Sequence, residues 1–293
     1  MDIGFIGLGR MGSAMARNLA GAPHAVTGFD SAGTTVDGVQ VASSPAEAAE
    51  GRDVIITMLP NATAVREVRE QCFATARRNA LFIDCSTLDV ASAVALAGEA
   101  EAAGHMAIDA PVSGGQVGAE AGTLAFMVGA SDEVYAEVLP LLEVMGARIV
   151  HCGAAGLGQA AKICNNMVLG ISQIAVAEAF VLGERLGLQH QALYDVMSKA
   201  SGQCWSLTTN CPVPGPVPGS PANRDFQPGF AGALMAKDLG LALAALDEQG
   251  VAADLGRLAQ AKYAEYAAGE GAARDFSGII EDIRASHTDR SEA

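Results

Sequence analysis

Positive charge is scarce in this sequence: 18 Lys and Arg stand against 33 Asp and Glu, a formal net charge of −15, and only four of the cations are lysines. With no Lys/Arg-rich run, nucleic acid and anionic membrane surfaces are excluded as expected partners. An anionic substrate must then be drawn by a few placed cations and backbone N–H groups, so individual lysines are worth following. Cysteines are few and scattered. Cys72, Cys85, Cys152, Cys164, Cys204 and Cys211 form no C-x-x-C pair and no His/Cys cluster at zinc spacing, so they read as reduced thiols, mostly small buried apolar residues, with no metal site. Long apolar runs are missing too, because Gly, Asn, Gln and charged residues interrupt them before the roughly 20 residues of a membrane span. No basic segment leading into an apolar one precedes the first strand, which starts almost at Met1. A soluble, cytoplasmic protein is expected.

What is present is alanine, valine, leucine and isoleucine, a mixture suited to helices packed on a parallel sheet. At 293 residues the chain exceeds one typical domain. Up to about His151, short apolar runs alternate with amphipathic stretches. Val54–Met58, Leu81–Ile83, Met106–Ile108 and Leu124–Val128 read as buried strands, Ser44-Pro45 as a helix start and Asp89 as a helix cap. Repeated β-α-β units imply an α/β Rossmann-type, doubly wound parallel sheet over residues 1–157. From 158 to 293 the pattern is all-helical, beginning with a long linking helix over about 158–186 and followed by helices near 189–199, 232–248, 253–268 and 277–285. Residues 211–228 interrupt it with six prolines, implying an ordered loop or a mobile flap. The polar tail after about His287 is expected to fray.

The first apolar strand runs into Gly7-Leu8-Gly9-Arg10-Met11-Gly12. In that context the glycines have separate uses: a tight turn, close approach of backbone to a pyrophosphate, and close packing of the following helix on the strand. The helix N-terminus supplies unpaired N–H groups and the positive end of its dipole. Asp30 ends the second strand about 20 residues on, where a carboxylate accepts from adenosine ribose hydroxyls and repels a 2′-phosphate. No arginine follows to receive that phosphate, so NAD is expected over NADP; a solvated turn acid is the plainer alternative. Leu59-Pro60-Asn61 and Ser86-Thr87 fall at later strand ends, the carboxyl edge where such folds bind ligands, and read as cofactor-lining, with a proline turn and a helix cap as the plainer alternatives.

Asp109 to Gly115 follows another buried strand and ends in Ser113-Gly114-Gly115, whose successive N–H groups suit a carboxylate. On the long helix, Lys162 and Asn166 share a face at i and i+4. A lysine near the domain junction should have its pKa lowered toward useful acid–base range, unless it simply snorkels to solvent.

These motifs together resemble the β-hydroxyacid dehydrogenase family over essentially the whole chain. Phe5 to Leu19 is similar to its amino-terminal signature, Asp109 to Gly115 to its substrate-binding segment, and Gly158 to Asn166 to its catalytic helix. The resemblance implies Lys162 as general acid–base, Asn166 as a ligand of substrate or lysine, Phe230 and Lys237 near the nicotinamide, and Asp238 beside the substrate. Ser201 to Ser206, with Trp205 and the proline-rich loop, resembles the 3-hydroxyisobutyrate branch; Trp205 shapes a pocket or fills core. The implied reaction is NAD-dependent oxidation of 3-hydroxyisobutyrate to methylmalonate semialdehyde in valine catabolism, within a cleft that excludes water. Reduction of tartronate or succinic semialdehyde is the enzymatic alternative, and a non-catalytic NAD-binding sensor or scaffold the other. A homodimer or homotetramer is expected from the alanine-rich helical half.

Overall fold

The computed structural model describes residues 1–286; the tail expected to fray after His287 lies outside them. The chain divides into a unit of residues 1–162 and a unit of residues 163–293. That division falls a few residues inside a long helix, against the 157/158 boundary expected from sequence.

The first unit is a nine-stranded sheet: β1 (Asp2–Ile6), β2 (Ala25–Phe29), β3 (Gln40–Val41), β4 (Val54–Thr57), β5 (Leu81–Asp84), β6 (Met106–Asp109), β7 (Val112–Ser113), β8 (Leu124–Gly129) and β9 (Gly146–Gly153). Its helices are α1 (Arg10–Gly21), α2 (Pro45–Ala49), α3 (Ala62–Cys72), α4 (Val90–Ala102), α5 (Gly115–Ala121) and α6 (Asp132–Leu142). The strand order β3-β2-β1-β4-β5-β6 is parallel throughout, reversing beside β1 as in a doubly wound sheet. Alternate residues of the central strands go to opposite faces: Ile3, Phe5, Val54, Ile56, Leu81 and Ile83 join one core, while Ile6, Ile55 and Phe82 join the other. Covering on both faces explains why these strands read as continuous apolar runs. Ser44 caps α2 by accepting from Glu47 N–H at 3.2 Å, and Asp89 caps α4 through Ser92 N–H at 2.7 Å, as their positions predict.

The sheet is not parallel to its edge. β6 runs on through Ala110-Pro111 into β7, and both pair antiparallel with β8 in one register, Asp109 opposite Gly129, Val112 opposite Phe126 and Ser113 opposite Ala125, the chain returning through the short α5. No long crossover separates them, so β8 returns in the opposite direction, and β9 then pairs parallel to β8. Strands β3, β7 and β9 had no clear apolar signal in sequence, being short or half-exposed.

α7 (Leu157–Arg185) carries the chain into the second unit, followed by α8 (His190–Met197), α9 (Trp205–Thr208), α10 (Gly232–Glu248), α11 (Asp254–Ala268) and α12 (Ile279–Ala285). α7 corrects one expectation: an 18-residue window of it has mean hydropathy 1.5, long and apolar enough to cross a membrane by composition. Its Gly, Asn and Gln interruptions are outweighed by the Ile, Val, Leu and Ala around them. Half of that window is buried in the protein, however. Val176, Ala177, Phe180 and Val181 pack with Leu207, Ile280 and Ile283, and Ile174 packs with Met235, Leu239, Tyr263 and Phe276.

The proline-rich segment is an ordered loop rather than a flap. Cys211, Val213 and Phe226 are buried in the same core as Phe180, each large apolar side chain contributing about 1.5–3 kcal/mol. Ser220 Oγ donates to Cys211 O, Asn223 Oδ1 accepts from Gly215 N–H at 2.9 Å, and Asn223 Nδ2 donates to Val217 O at 2.8 Å. Of the six cysteines, Cys72, Cys85 and Cys211 are buried, Cys152 and Cys204 partly so, while Cys164 is exposed; all are free thiols. Burial pushes the Cys72 thiol up to about 12, despite the nearby Arg69.

Candidate active site

At the first βα turn, Gly7 N–H donates to Phe29 O at 2.9 Å, which ties the turn to β2. Gly9 is the N-cap of α1 and has no side-chain cap, and a Cβ built on it meets nothing within 4 Å. Gly12 is the opposite case: a Cβ there would run into Gly7 O and lie 3.1 Å from the Phe5 ring. So one glycine leaves open the space a pyrophosphate needs, and the other lets α1 press onto β1. Leu8 is buried beneath the turn, Met11 is half-buried, and Arg10 is exposed at the first helical position. Asp30 reaches back to this turn: its Oδ2 accepts from Leu8 N–H at 2.7 Å, and its Oδ1 from Ala32 N–H at 2.8 Å and Thr34 Oγ1 at 3.4 Å. A carboxylate has about four acceptor sites, so these bonds fix Asp30 in place while leaving it capacity for a hydroxyl. It is an anchored acid, not a solvated turn residue.

The next two strand ends are wired together. Leu59 N–H donates to Ser86 Oγ at 2.9 Å, and Asp84 Oδ1 accepts from Ser86 N–H at 3.1 Å and Thr57 Oγ1 at 2.9 Å. Pro60 is exposed, and Thr87 is half-buried between Ser86 and Leu88. Both flanks of Thr87 are held by one side chain, Gln159: its Nε2 donates to Ser86 O at 2.7 Å and its Oε1 accepts from Leu88 N–H at 3.0 Å.

At the end of β6, Asp109 serves as the cap of α7. Its Oδ1 accepts from Gly156 N–H at 2.6 Å and its Oδ2 from Gln159 N–H at 2.8 Å. Burial pushes the Asp109 carboxyl above its ordinary range; the N–H bonds from Gly156 and Gln159 oppose this, and nearby Asp84 adds to it. A Cβ on Gly129 would strike Asp109 Oδ1, and one on Gly158 would strike Met127 O and sit 2.7 Å from Asp109 Oδ2. Glycines therefore make room for the buried acid. One turn beyond Gln159, Lys162 is 6 % exposed, which does not fit a snorkelling side chain. Ser113 is half-buried at the end of β7, and Gly114 and Gly115 take φ of 131° and 61°, conformations open to glycine, at the start of α5.

In the second unit Asn166 is buried, with Nδ2 donating to Asp238 Oδ2 at 2.5 Å and Oδ1 accepting from Asn165 Nδ2 at 3.0 Å. Lys237, next to Asp238 on α10, is half-buried, as is Phe230 just before that helix. The segment around Phe230 hangs on buried Asp275, whose Oδ2 accepts from Gly229 N–H at 3.0 Å and Phe230 N–H at 3.1 Å. Trp205 opens α9 and is 52 % exposed, so it does not fill core. Among the described residues no group of three or more His, Cys, Asp or Glu is placed to hold a metal ion.

Gln159, Asp109 as a helix cap, and Asp275 are the residues that sequence reasoning passed over. The signal for the first two was slight: a glycine immediately before Gln159, and an acid at a strand end far away in sequence. Nothing in the sequence pointed to Asp275.

The family model described as the NAD binding domain of 6-phosphogluconate dehydrogenase matches residues 2–153, and that described as NAD-binding of NADP-dependent 3-hydroxyisobutyrate dehydrogenase matches residues 156–283. A probable 3-hydroxyisobutyrate dehydrogenase of Mycobacterium tuberculosis is 53 % identical over 97 % of this chain and 98 % of its own length. The mitochondrial 3-hydroxyisobutyrate dehydrogenase of Mus musculus is 43 % identical, over 96 % of this chain and 87 % of its own. The structure of the Mycobacterium tuberculosis 3-hydroxyisobutyrate dehydrogenase with L-serine superposes with a TM-score of 0.92 at 53 % identity, covering 97 % of this chain and 99 % of that one. An open glycine turn at the carboxyl edge of a Rossmann-type sheet, and likeness to these enzymes over nearly the full length, make the chain a nicotinamide-dinucleotide-binding oxidoreductase that belongs to the 3-hydroxyisobutyrate dehydrogenase family.

Proposed function

We propose that the protein oxidises 3-hydroxyisobutyrate to methylmalonate semialdehyde with NAD, and that Lys162 is its general acid–base. The observation that carries this reading is a buried lysine on a helix whose first turn is fixed, by Asp109 and Gln159, to the carboxyl edge of the dinucleotide-binding sheet. Bound NAD supplies the acceptor for the hydride that leaves the hydroxyl-bearing carbon. Lys162, as the neutral amine, takes the hydroxyl proton; in reverse its ammonium returns that proton to the developing alkoxide. Backbone N–H groups around Ser113, Gly114 and Gly115 hold the substrate carboxylate. Asn166, oriented by Asp238, directs the hydroxyl or the lysine, while Phe230 and Lys237 line the nicotinamide side and Trp205 borders the substrate.

Asp30 favours NAD over NADP, because a 2′-phosphate would meet a carboxylate already fixed by Leu8 and Ala32 N–H groups. The description of the matching carboxyl-terminal model as NADP-dependent makes this a point to measure. Such an activity belongs to valine breakdown, in the cytoplasm, and the protein acts as a homodimer or homotetramer.

Initial rates with NAD and with NADP, across 3-hydroxyisobutyrate, L-serine, glycerate and the reverse reduction of tartronate and succinic semialdehydes, test the reading. A 3-hydroxyisobutyrate kcat/KM below that for another member of the panel would reassign the substrate. Lys162→Ala is expected to bind NADH yet lose most turnover, since acid–base help is worth on the order of 10²–10⁴-fold.

A further inference from the structure

We infer that Gln159 is a positioning residue of the reaction, which sets the cofactor-lining loop around Thr87 in register with Lys162. The inference rests on the reading of Lys162 as the proton-transfer group and of Thr87 as cofactor-lining.

Three ties make Gln159 a junction. Its backbone N–H donates to Asp109 Oδ2 at 2.8 Å, so its position on α7 is fixed to the end of β6. Its amide then bonds both neighbours of Thr87, through Ser86 O at 2.7 Å and Leu88 N–H at 3.0 Å. Ser86 passes the constraint on, since its Oγ accepts from Leu59 N–H at 2.9 Å at the end of β4. Two loops at the carboxyl edge of the sheet are thus referred to one helical turn, and the next turn carries Lys162. Gln159 is 0 % exposed, so neither bond is exchanged with solvent. A leucine or methionine would fill the same volume; only a side chain that both donates and accepts can bracket Thr87 from one point. In α7 such a bracket determines how far the proton-transfer nitrogen stands from the loop that borders the cofactor. Misplacement by about 1 Å costs on the order of 10²-fold in rate.

The experiment compares Gln159→Met, which keeps the volume and loses both bonds, with Gln159→Glu, which keeps the acceptor for Leu88 and loses the donor to Ser86. For each, kcat, substrate KM, the Kd for NADH by fluorescence titration, and the thermal melt are measured beside Lys162→Ala. The expected result for Gln159→Met is a fall in kcat of about 100-fold with a cooperative melt, and with substrate KM and NADH Kd within about threefold of wild type. Gln159→Glu falls between. A Gln159→Met kcat within about threefold of wild type overturns the inference. So does a loss of turnover matched by lost NADH binding, or loss of cooperative melting in both variants, which would make Gln159 a residue of the fold alone. Full turnover by Lys162→Ala is a different failure: it removes the proposed mechanism whatever Gln159 does.

Discussion

The Asp109 carboxylate accepts the backbone N–H of Gln159 at 2.8 Å, so a residue at the end of a sheet strand caps the helix that bears Lys162. Fifty residues of chain separate the two, and the bond is buried. It makes the start of α7 part of the dinucleotide-binding unit rather than a loose linker.

Asp109→Asn should test that cap. The amide retains one acceptor oxygen but presents an N–H group to one of two backbone donors, so the expected loss at neutral pH is about 1–3 kcal/mol. The pH dependence has a definite sign. The folded Asp109 pKa is raised above its ordinary 3.8, chiefly by burial, so the folded chain binds this proton more tightly than the unfolded chain. Its contribution is favourable at low pH and is lost as pH rises from the ordinary value through the folded one. The wild-type advantage over Asp109→Asn in urea denaturation is therefore expected to shrink as pH rises through that window; an advantage that grows would contradict it. Glu184 behaves the other way. Its pKa is held below 4.5, first by the Arg284 hydrogen bond, so its contribution is present above that value and lost as pH falls through the lowered one.

Gly158→Ala should be costly where another helical glycine is not. The new methyl would press on Met127 O and sit 2.7 Å from Asp109 Oδ2, and forcing it in costs about 1–3 kcal/mol. Turnover is expected to fall with the melting temperature, because the first turn of α7 must shift. Gly98, within α4, has nothing within 4 Å of a built Cβ, so Gly98→Ala should stabilise by about 0.4–1 kcal/mol. Differential scanning calorimetry of the two variants checks the contrast.

Asp30→Asn should shift coenzyme preference. Removing the negative charge is expected to move the NADP/NAD ratio of kcat/KM toward NADP by about tenfold, about 1.4 kcal/mol. Because Asp30 also holds Leu8 N–H, the KM for NAD should rise in the same variant. Steady-state rates with each coenzyme decide it, and an unchanged ratio would remove Asp30 from discrimination.

Asp275→Ala should loosen the Phe230 segment. The buried carboxylate receives Gly229 and Phe230 N–H, Asn210 Nδ2 at 3.1 Å, and the N–H and Oγ of Ser277 at 3.0 and 2.7 Å. Losing an acceptor for that many donors is expected to cost about 3 kcal/mol. If Phe230 borders the nicotinamide, NADH binding weakens as well; fluorescence titration below the melting transition separates the two effects.

The sequence by itself determined the elements whose signals are local. The glycine turn, the apolar strands β1, β4, β5 and β6, the Ser44 and Asp89 caps and the long α7 all announce themselves within a few residues, since periodicity and capping act over one or two turns. Lys162, Asn166 and Asp30 stood out as candidates for the same reason, each at a definite spacing from a motif. Only the tertiary structure decided what depended on chain segments meeting from afar. β8 reverses because the chain returns through the short α5 to pair with the β6–β7 strand it has just left, and the proline-rich loop was ordered by Val213 and Phe226 entering a core that other helices supply. Asp109 became a cap because the start of α7 returns to β6, and Gln159 a junction because the loop after β5 lies against it. Such bonds carry no period and no fixed spacing; they exist only once the sheet has brought its strand ends to one edge.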